Sequence, residues 1–380
     1  MAITFFSGFE TGTQAIDTNG LSGTSSIVTS PVHGGTYALR INPTTTGAGD
    51  ALFSWLDSAG KMLGTGSPPV SIVSFMFRYA TKPAANNEEI CRISSGVFVQ
   101  VRLGSDGKLS LYNDNTLNAS GTVVLAADTW YRIDVKVDDS ANTQEVRVNG
   151  TVDISGTIAT SSGLLSCALG KQTNRNGQTV DFFYDDFCFA DNAYPTSGIV
   201  LLALPIGAGS AAGWTNGTGT TFAEVDETPA AGNDGDTTYI QASATQDNQD
   251  HTLDFQNVAT IGITTTIRAV QGTVYAKTTS TSGSSSVSAR MVVGADAVEL
   301  SGSELGTSYV GIHHCRVLQP DNTTSWDTTS FDAVEFGMAA NAIAQVQRFT
   351  VAYVQAWVDV PATQSQAPRT MHQHMMRRAA

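Results

Sequence analysis

The run Asp181-Phe182-Phe183-Tyr184-Asp185-Asp186 is the nearest approach in this sequence to a catalytic carboxylate pair. Glycoside cleavage needs two carboxyl groups flanking one bond, and on a β-sandwich they would sit on one strand face, about four or five residues apart. The run has no Glu and lacks the Glu-x-Asp-x-x-Glu order of retaining enzymes, so its carboxylates are expected to cap strand ends and bond loop amides. No Ser-His-Asp or Cys-His spacing suggests a nucleophile, and no glycine loop suits a phosphate. Gly207–Gly213, GAGSAAG, has neither a lysine nor a following helical pattern and is expected to be a linker-like turn.

Metal chemistry has thin support. Asp138-Asp139, Asp185-Asp186 and the group Asp226, Asp234, Asp236 could offer oxygens to Ca2+, against the favoured alternative of solvated turns. No cofactor is expected. His313 and His314 are neighbours in an alternating stretch, point to opposite faces and cannot easily share a metal, which leaves packing and hydrogen bonding. His372 and His374 could share one side of an extended segment. Cys91, Cys167, Cys188 and Cys315 lie in apolar runs without the paired spacing of a zinc site; buried free thiols of a reducing cytosol are expected, and their disulfide state stays open.

Aromatic rings give a different chemistry, stacking on sugars. Trp130 and Trp357 fall in strand-like stretches and are expected in the core. Trp214 and Trp326 sit among Gly, Thr, Ser and Asn, and are candidates for contact with a glycan or partner, or for plugs at a sandwich end. The segment 362–380 carries Arg369, Arg377 and Arg378, no acid, and Met371, Met375 and Met376. Such a basic, Met-containing tail is expected to be flexible alone and to order on a partner.

The elements that would carry these residues are strands. In Tyr131–Asp138 apolar residues take odd positions and polar ones even positions, so one face meets a core and the other meets water. Val146 and Val148 continue the pattern, and Asn149-Gly150 turns the chain into Val152 and Ile154. Val97–Leu103 and Leu109–Leu111 form a second hairpin about Asp106-Gly107. Further strands are expected at Ile3–Glu10, Tyr37–Asn42, Ala51–Leu56, Val70–Tyr79, Leu165–Gly170 and Val180–Ala190, with a short helix possible within Leu52–Leu63. DNAYPTSG, Asp191–Gly198, connects to a second strand-rich half, in which the Ile263–Lys277 stretch is expected to bend at Gln271-Gly272. The expectation is an all-β chain of two antiparallel β-sandwich (jelly-roll) domains, residues 1–194 and 199–361, followed by the tail 362–380.

Composition narrows the function. The chain has 380 residues, 41 % hydrophobic and only 14 % charged, with a formal net charge of −14. That charge repels phosphate backbones, so nucleic acid is not an expected partner. The opening MAITFFSGFE is not a signal peptide, and no apolar run reaches the ~18 residues of a membrane span. No membrane partner and synthesis in a cytoplasm are expected.

Four segments of the first half, FSGFETG, GTYALRIN, the hairpin TWYRIDVKVDD…VRVNG and the closing YDDF, resemble the concanavalin A-like (laminin-G-like) jelly-roll sandwich. From Trp214, WTNGTGTTFAEVDETPAAGNDGDTTYIQAS resembles a segment of structural proteins of tailed bacteriophages. The resemblance implies a virion structural protein, a capsid decoration, head fibre or tail-associated component. It would be made in the host cytoplasm, would not be an enzyme, and would work through contacts with other virion proteins and copies of itself. The alternative is a glycan-binding adhesin of a phage tail, touching host surface glycans; a polysaccharide-degrading enzyme comes after it.

Overall fold

A period of two sends Val99, Val101 and Leu103 to one side of a strand and Phe98, Gln100 and Arg102 to the other. The computed structural model builds most of the described residues on this rule. It describes residues 2–12, 20–43, 49–54, 69–94, 97–158, 166–171, 178–216, 225, 237–243, 249–280, 286–300, 303–342 and 346–360. In the first half the strands are β1 (Ala2–Ser7), β2 (Gly20–Gly23), β3 (Ser25–Val28), β4 (Ala38–Ile41), β5 (Gly49–Ser54), β6 (Val70–Thr81), β7 (Glu88–Ser94), β8 (Phe98–Leu103), β9 (Lys108–Asn113), β10 (Thr116–Val124), β11 (Tyr131–Asp138), β12 (Thr143–Val148), β13 (Thr151–Thr157), β14 (Ser166–Lys171) and β15 (Asp181–Asp191). The second half holds β16 (Gly198–Ala203), β17 (Pro205–Ala212), β18 (Thr215–Asn216), β19 (Ile240–Ala242), β20 (Asp250–Phe255), β21 (Ile267–Thr278), β22 (Ser286–Val293), β23 (Asp296–Glu299), β24 (Ser303–Glu304), β25 (Val310–Arg316), β26 (Val334–Ala342) and β27 (Gln347–Asp359). Two short helices, α1 (Val258–Ile261) and α2 (Thr328–Asp332), complete the described elements.

The strands form four antiparallel sheets, two per half. An eight-stranded sheet runs β13-β12-β11-β6-β15-β4-β3, with β1 also on β15, and faces a seven-stranded sheet β10-β9-β8-β7-β14-β5-β2. In the second half β18-β19-β27-β21-β25, with β16 on β27, faces β17-β20-β26-β22-β23, with β24 on β22. Each pair encloses its own core. Phe75, Phe77, Tyr184 and Phe189 meet Val99, Val101 and Leu111 in the first. Phe349, Val354 and Val274 meet Phe336, Met338 and Leu253 in the second.

A third apolar cluster joins the halves. Ile3, Phe6, Ile72, Cys188 and Ala190, on the outer face of the eight-stranded sheet, pack on Val200, Ala269 and Trp357. The Gln271 side chain completes the join: its Oε1 accepts from Phe6 N–H at 3.1 Å and its Nε2 donates to Phe6 C=O at 3.0 Å. The Cys315 thiol donates to Ile3 C=O at 3.3 Å. Side chains of the second half thus satisfy backbone groups of β1 that would otherwise form a bare sheet edge. The connector is held too, by a 2.6 Å hydrogen bond from Tyr194 Oη to Glu145 Oε1 and by Arg147 stacked 3.7 Å over the Tyr194 ring.

Several details differ from the sequence expectation. GAGSAAG is not a turn: Gly207–Ala212 belong to β17, paired with β20. The chain does not bend at Gln271-Gly272. β21 pairs continuously there with both β25 and β27, and Gly272 is needed because a Cβ would lie 2.2 Å from Phe336 Cδ2. Residues 51–54 lie in β5, in keeping with the strand expected at Ala51–Leu56; the rest of Leu52–Leu63, where a short helix was possible, lies with Trp55 outside the described residues. Trp130 precedes β11 and is half-buried against His33 instead of in the core.

Candidate functional site

The residues singled out for chemistry are spread over the molecule. Trp214 is 4 % exposed and Trp326 3 %, both in the second core. Their indole N–H groups are used internally, Trp214 on Gln249 C=O and Trp326 on Arg316 C=O. Neither presents a ring to solvent, which corrects the expectation of a glycan or partner contact there. They plug the sandwich because their large apolar area outweighs the polarity of their neighbours in sequence. The tail residues Arg369, Met371, Met375, Met376, Arg377 and Arg378, the pair His372 and His374, and Asp226, Asp234 and Asp236 all lie outside the described residues.

The acidic run holds a loop in place. Asp185 Oδ2 accepts from the backbone N–H of His33 at 2.7 Å and Gly34 at 3.1 Å. Asp186 takes His33 Nδ1 at 2.6 Å and Val200 N–H at 2.8 Å. Glu10 accepts from Thr36 and Tyr37 N–H, and Gly35 is required because a Cβ there would sit 2.1 Å from Glu10 Oε1. Burial, reinforced by the neighbouring Asp186, raises the Asp185 carboxyl well above the usual range. Asp181 forks onto Arg40, and Asp138 caps the β11–β12 turn. Among the described residues no group of three or more His, Cys, Asp or Glu is placed to hold a metal ion. His313 bonds Thr273 and packs its ring on Phe5, while its neighbour His314 is buried in strand β25.

A different constellation stands on the outer face of the seven-stranded sheet. The registers align Ala168 of β14, Arg92 of β7, Gln100 of β8, Tyr112 of β9 and Leu117 of β10 in one row across the strands. Beside it, Glu89, Arg102 and Ser110 form a second row. Arg92 is gripped by Glu89 through two 2.8 Å contacts and stacks 5.0 Å from the Phe98 ring centre. Arg102 stacks 4.0 Å over Tyr112, and donates to Gln100 Oε1 at 2.5 Å and to Asn115 Oδ1 at 2.7 Å. Tyr112 Oη accepts from Asn87. Gln100 is fully buried, and with its oxygen turned to Arg102 its Nε2 has no partner among the described residues. Phe98, 43 % exposed, and Leu117, 52 % exposed, border this polar ground.

The arrangement suits binding. Aromatic rings fixed by planar guanidinium groups lose little freedom when they meet a ligand. Arg92 holds the Glu89 carboxylate, and the Tyr112 hydroxyl accepts from Asn87. The sequence contained one sign of this face, the polar positions Gln100, Arg102 and Tyr112 interleaved with Val99, Val101 and Leu111. Their alignment with Arg92 depends on a register shift in β7 between Glu89 and Cys91 that the sequence does not announce.

No protein-family model and no curated protein matches the sequence. Among solved structures, the cellulose-induced protein Cip1 superposes with a TM-score of 0.40 at 16 % identity, covering 51 % of this chain and 100 % of that one. An endo-β-1,4-glucuronan lyase from the fungus Trichoderma reesei gives 0.38 at 11 % identity, over 50 % of this chain and 96 % of that one. Domain 4 of AbnA, an extracellular arabinanase from Geobacillus stearothermophilus in complex with arabinotriose, gives 0.37 at 14 % identity, over 51 % and 94 %.

Proposed function

We propose that the first sandwich is a non-catalytic polysaccharide-binding module whose site is the outer face of its seven-stranded sheet. The observation that carries this is the cross-strand row Arg92–Gln100–Tyr112 with the exposed Phe98 ring at its margin. A sugar ring would stack on the open side of Phe98, whose other side is filled by Arg92. Its oxygens would meet the half-buried Tyr112, while Gln100, Arg92 and Arg102 are buried and hold the two rings in place from beneath. The test is titration of the full chain with bacterial polysaccharides, followed by Phe98→Ala, which trims an exposed side chain and leaves the core intact. Saturable binding weakened about tenfold or more supports the reading, on the scale of one aromatic stacking contact. Binding unchanged by Phe98→Ala contradicts it, and release of reducing or unsaturated ends would make the protein an enzyme.

A second reading places the protein on a phage particle, held by protein–protein contacts. Its protein–protein contacts, though not the particle itself, are supported by an apolar strip on one flank of the first sandwich. Leu117, Val123 and Val124 of β10 and Val152 of β13 are all exposed, and Asp153 bonds Thr122 and Val123 N–H across that flank. Such an edge suits a neighbouring virion protein or a second copy. The readings are compatible: a particle protein that also touches host glycans would use the flank for assembly and the sheet face for the cell. Imaging of particles labelled at this protein tests the location, and label absent from purified particles removes it.

A further inference from the structure

Cys91 and Cys167 sit on neighbouring strands, β7 and β14, with their sulfur atoms 3.6 Å apart, and both side chains are fully buried. Cys91 lies opposite Leu169 and Cys167 opposite Ile93, so the two are diagonal neighbours, and both point into the first core. A disulfide needs a sulfur separation of about 2.05 Å. Diagonal neighbours in a sheet stand about 7–8 Å apart, wider than the Cα separation of most disulfides, about 4.4–6.8 Å, so closure needs a local shift of the two strands as well as rotation about the Cα–Cβ bonds.

We propose that Cys91 and Cys167 are a latent disulfide, open in a reducing medium and closed when the protein folds in, or is carried into, an oxidising one. The oxidant is a small-molecule disulfide of the glutathione class. One cysteine loses its proton to solvent, and its thiolate attacks a sulfur of the small disulfide and expels one small thiolate, leaving a mixed disulfide. The second cysteine, deprotonated in turn, attacks the protein sulfur of that bond and expels the other small thiolate. The cysteine pair gives up two electrons, the small disulfide takes them, and the two protons end on the released thiols. Burial raises the Cys167 thiol well above its ordinary range. Exchange therefore runs during folding or local opening, and the closed bond is then shielded from reductant by the same core.

The other two cysteines serve as internal controls. Cys315 donates its S–H to Ile3 C=O, and Cys188 packs in the cluster that joins the two halves. Closure would tie together residues 76 positions apart in sequence and restrict the unfolded chain accordingly. It would also pin β7, the strand that carries Glu89 and Arg92, without requiring the binding proposal to hold.

The experiment refolds the full chain in oxidised glutathione, then unfolds it in denaturant with an alkylating agent to block free thiols, and maps peptides without reduction. The expected result is one peptide pair joined through Cys91 and Cys167, with Cys188 and Cys315 alkylated. The melting temperature should rise by roughly 5–10 °C over the dithiothreitol-treated protein, and Cys188→Ala should keep that rise. Four alkylated cysteines in folded protein, glutathione adducts alone, or a bond joining any other pair would each overturn the proposal. Folding is read by circular dichroism on the unsubstituted chain, so the outcome does not depend on a core variant surviving.

Discussion

At the scale of single residues, burial decides more than identity does. His251 is fully buried with neither ring nitrogen hydrogen-bonded among the described residues, its ring against Phe349. Burial pushes it down to about 4, and His314 likewise falls to about 4. Both stay neutral in the folded protein at pH values where the unfolded chain, with histidines near 6.5, binds protons. Their contribution to stability is therefore complete above about pH 6.5 and is lost as pH falls toward 4, by about 2 kcal/mol per histidine between pH 7 and 5. Melting curves across that range should show the loss, and His251→Leu should make it several degrees smaller; an unchanged pH slope would remove His251 as a cause. Trp214 and Trp326 follow the same rule. Polar sequence neighbours suggested exposure, yet each ring lies inside with its N–H bonded to a nearby carbonyl. A local window of sequence cannot register that, because the atoms closing over the ring come from distant strands.

At the scale of elements, legibility tracked regularity. β11, β12, β8 and β9 alternate strictly and were plain in the sequence, down to their turns at Asn149-Gly150 and Asp106-Gly107. β7 and β10 were not. Register shifts between Glu89 and Cys91, between Leu117 and Ala119, and between Ser120 and Val124 break their period of two. The candidate face was hidden for this reason: its residues were visible singly, but its rows cross strands whose pairing was not. β17 was concealed by composition, since Gly, Ala and Ser give little strand signal until β20 supplies the ladder. Gly272 marks a strand element where the fit is tight. Gly272→Ala, with its new methyl driven onto Phe336, should cost about 1–3 kcal/mol. Urea denaturation would read this as a lower midpoint at unchanged slope; a neutral substitution would mean that Phe336 can move away.

At the scale of the molecule, two separate cores are bound into one body by the cluster around Phe6 and Trp357 and by Gln271 against β1. Trp357, though a residue of the second half, spends its ring on the first, edge-on to Phe6 at 6.0 Å. Trp357→Ala should cost about 3–5 kcal/mol and lower the calorimetric midpoint, with one transition retained because Gln271 and Cys315 still hold β1. Two separated transitions would mean that the Trp357 ring alone couples the halves. This outer face of the eight-stranded sheet is consumed by the join, and the matching face of the seven-stranded sheet is where the arginine and aromatic row stands. The most direct test of that assignment is a crystal structure of the full chain soaked with an oligosaccharide cut from a polysaccharide it binds. The account predicts sugar density stacked on the exposed Phe98 ring and reaching toward Tyr112 and Leu117. Sugar bound elsewhere, with this face bare, would contradict it.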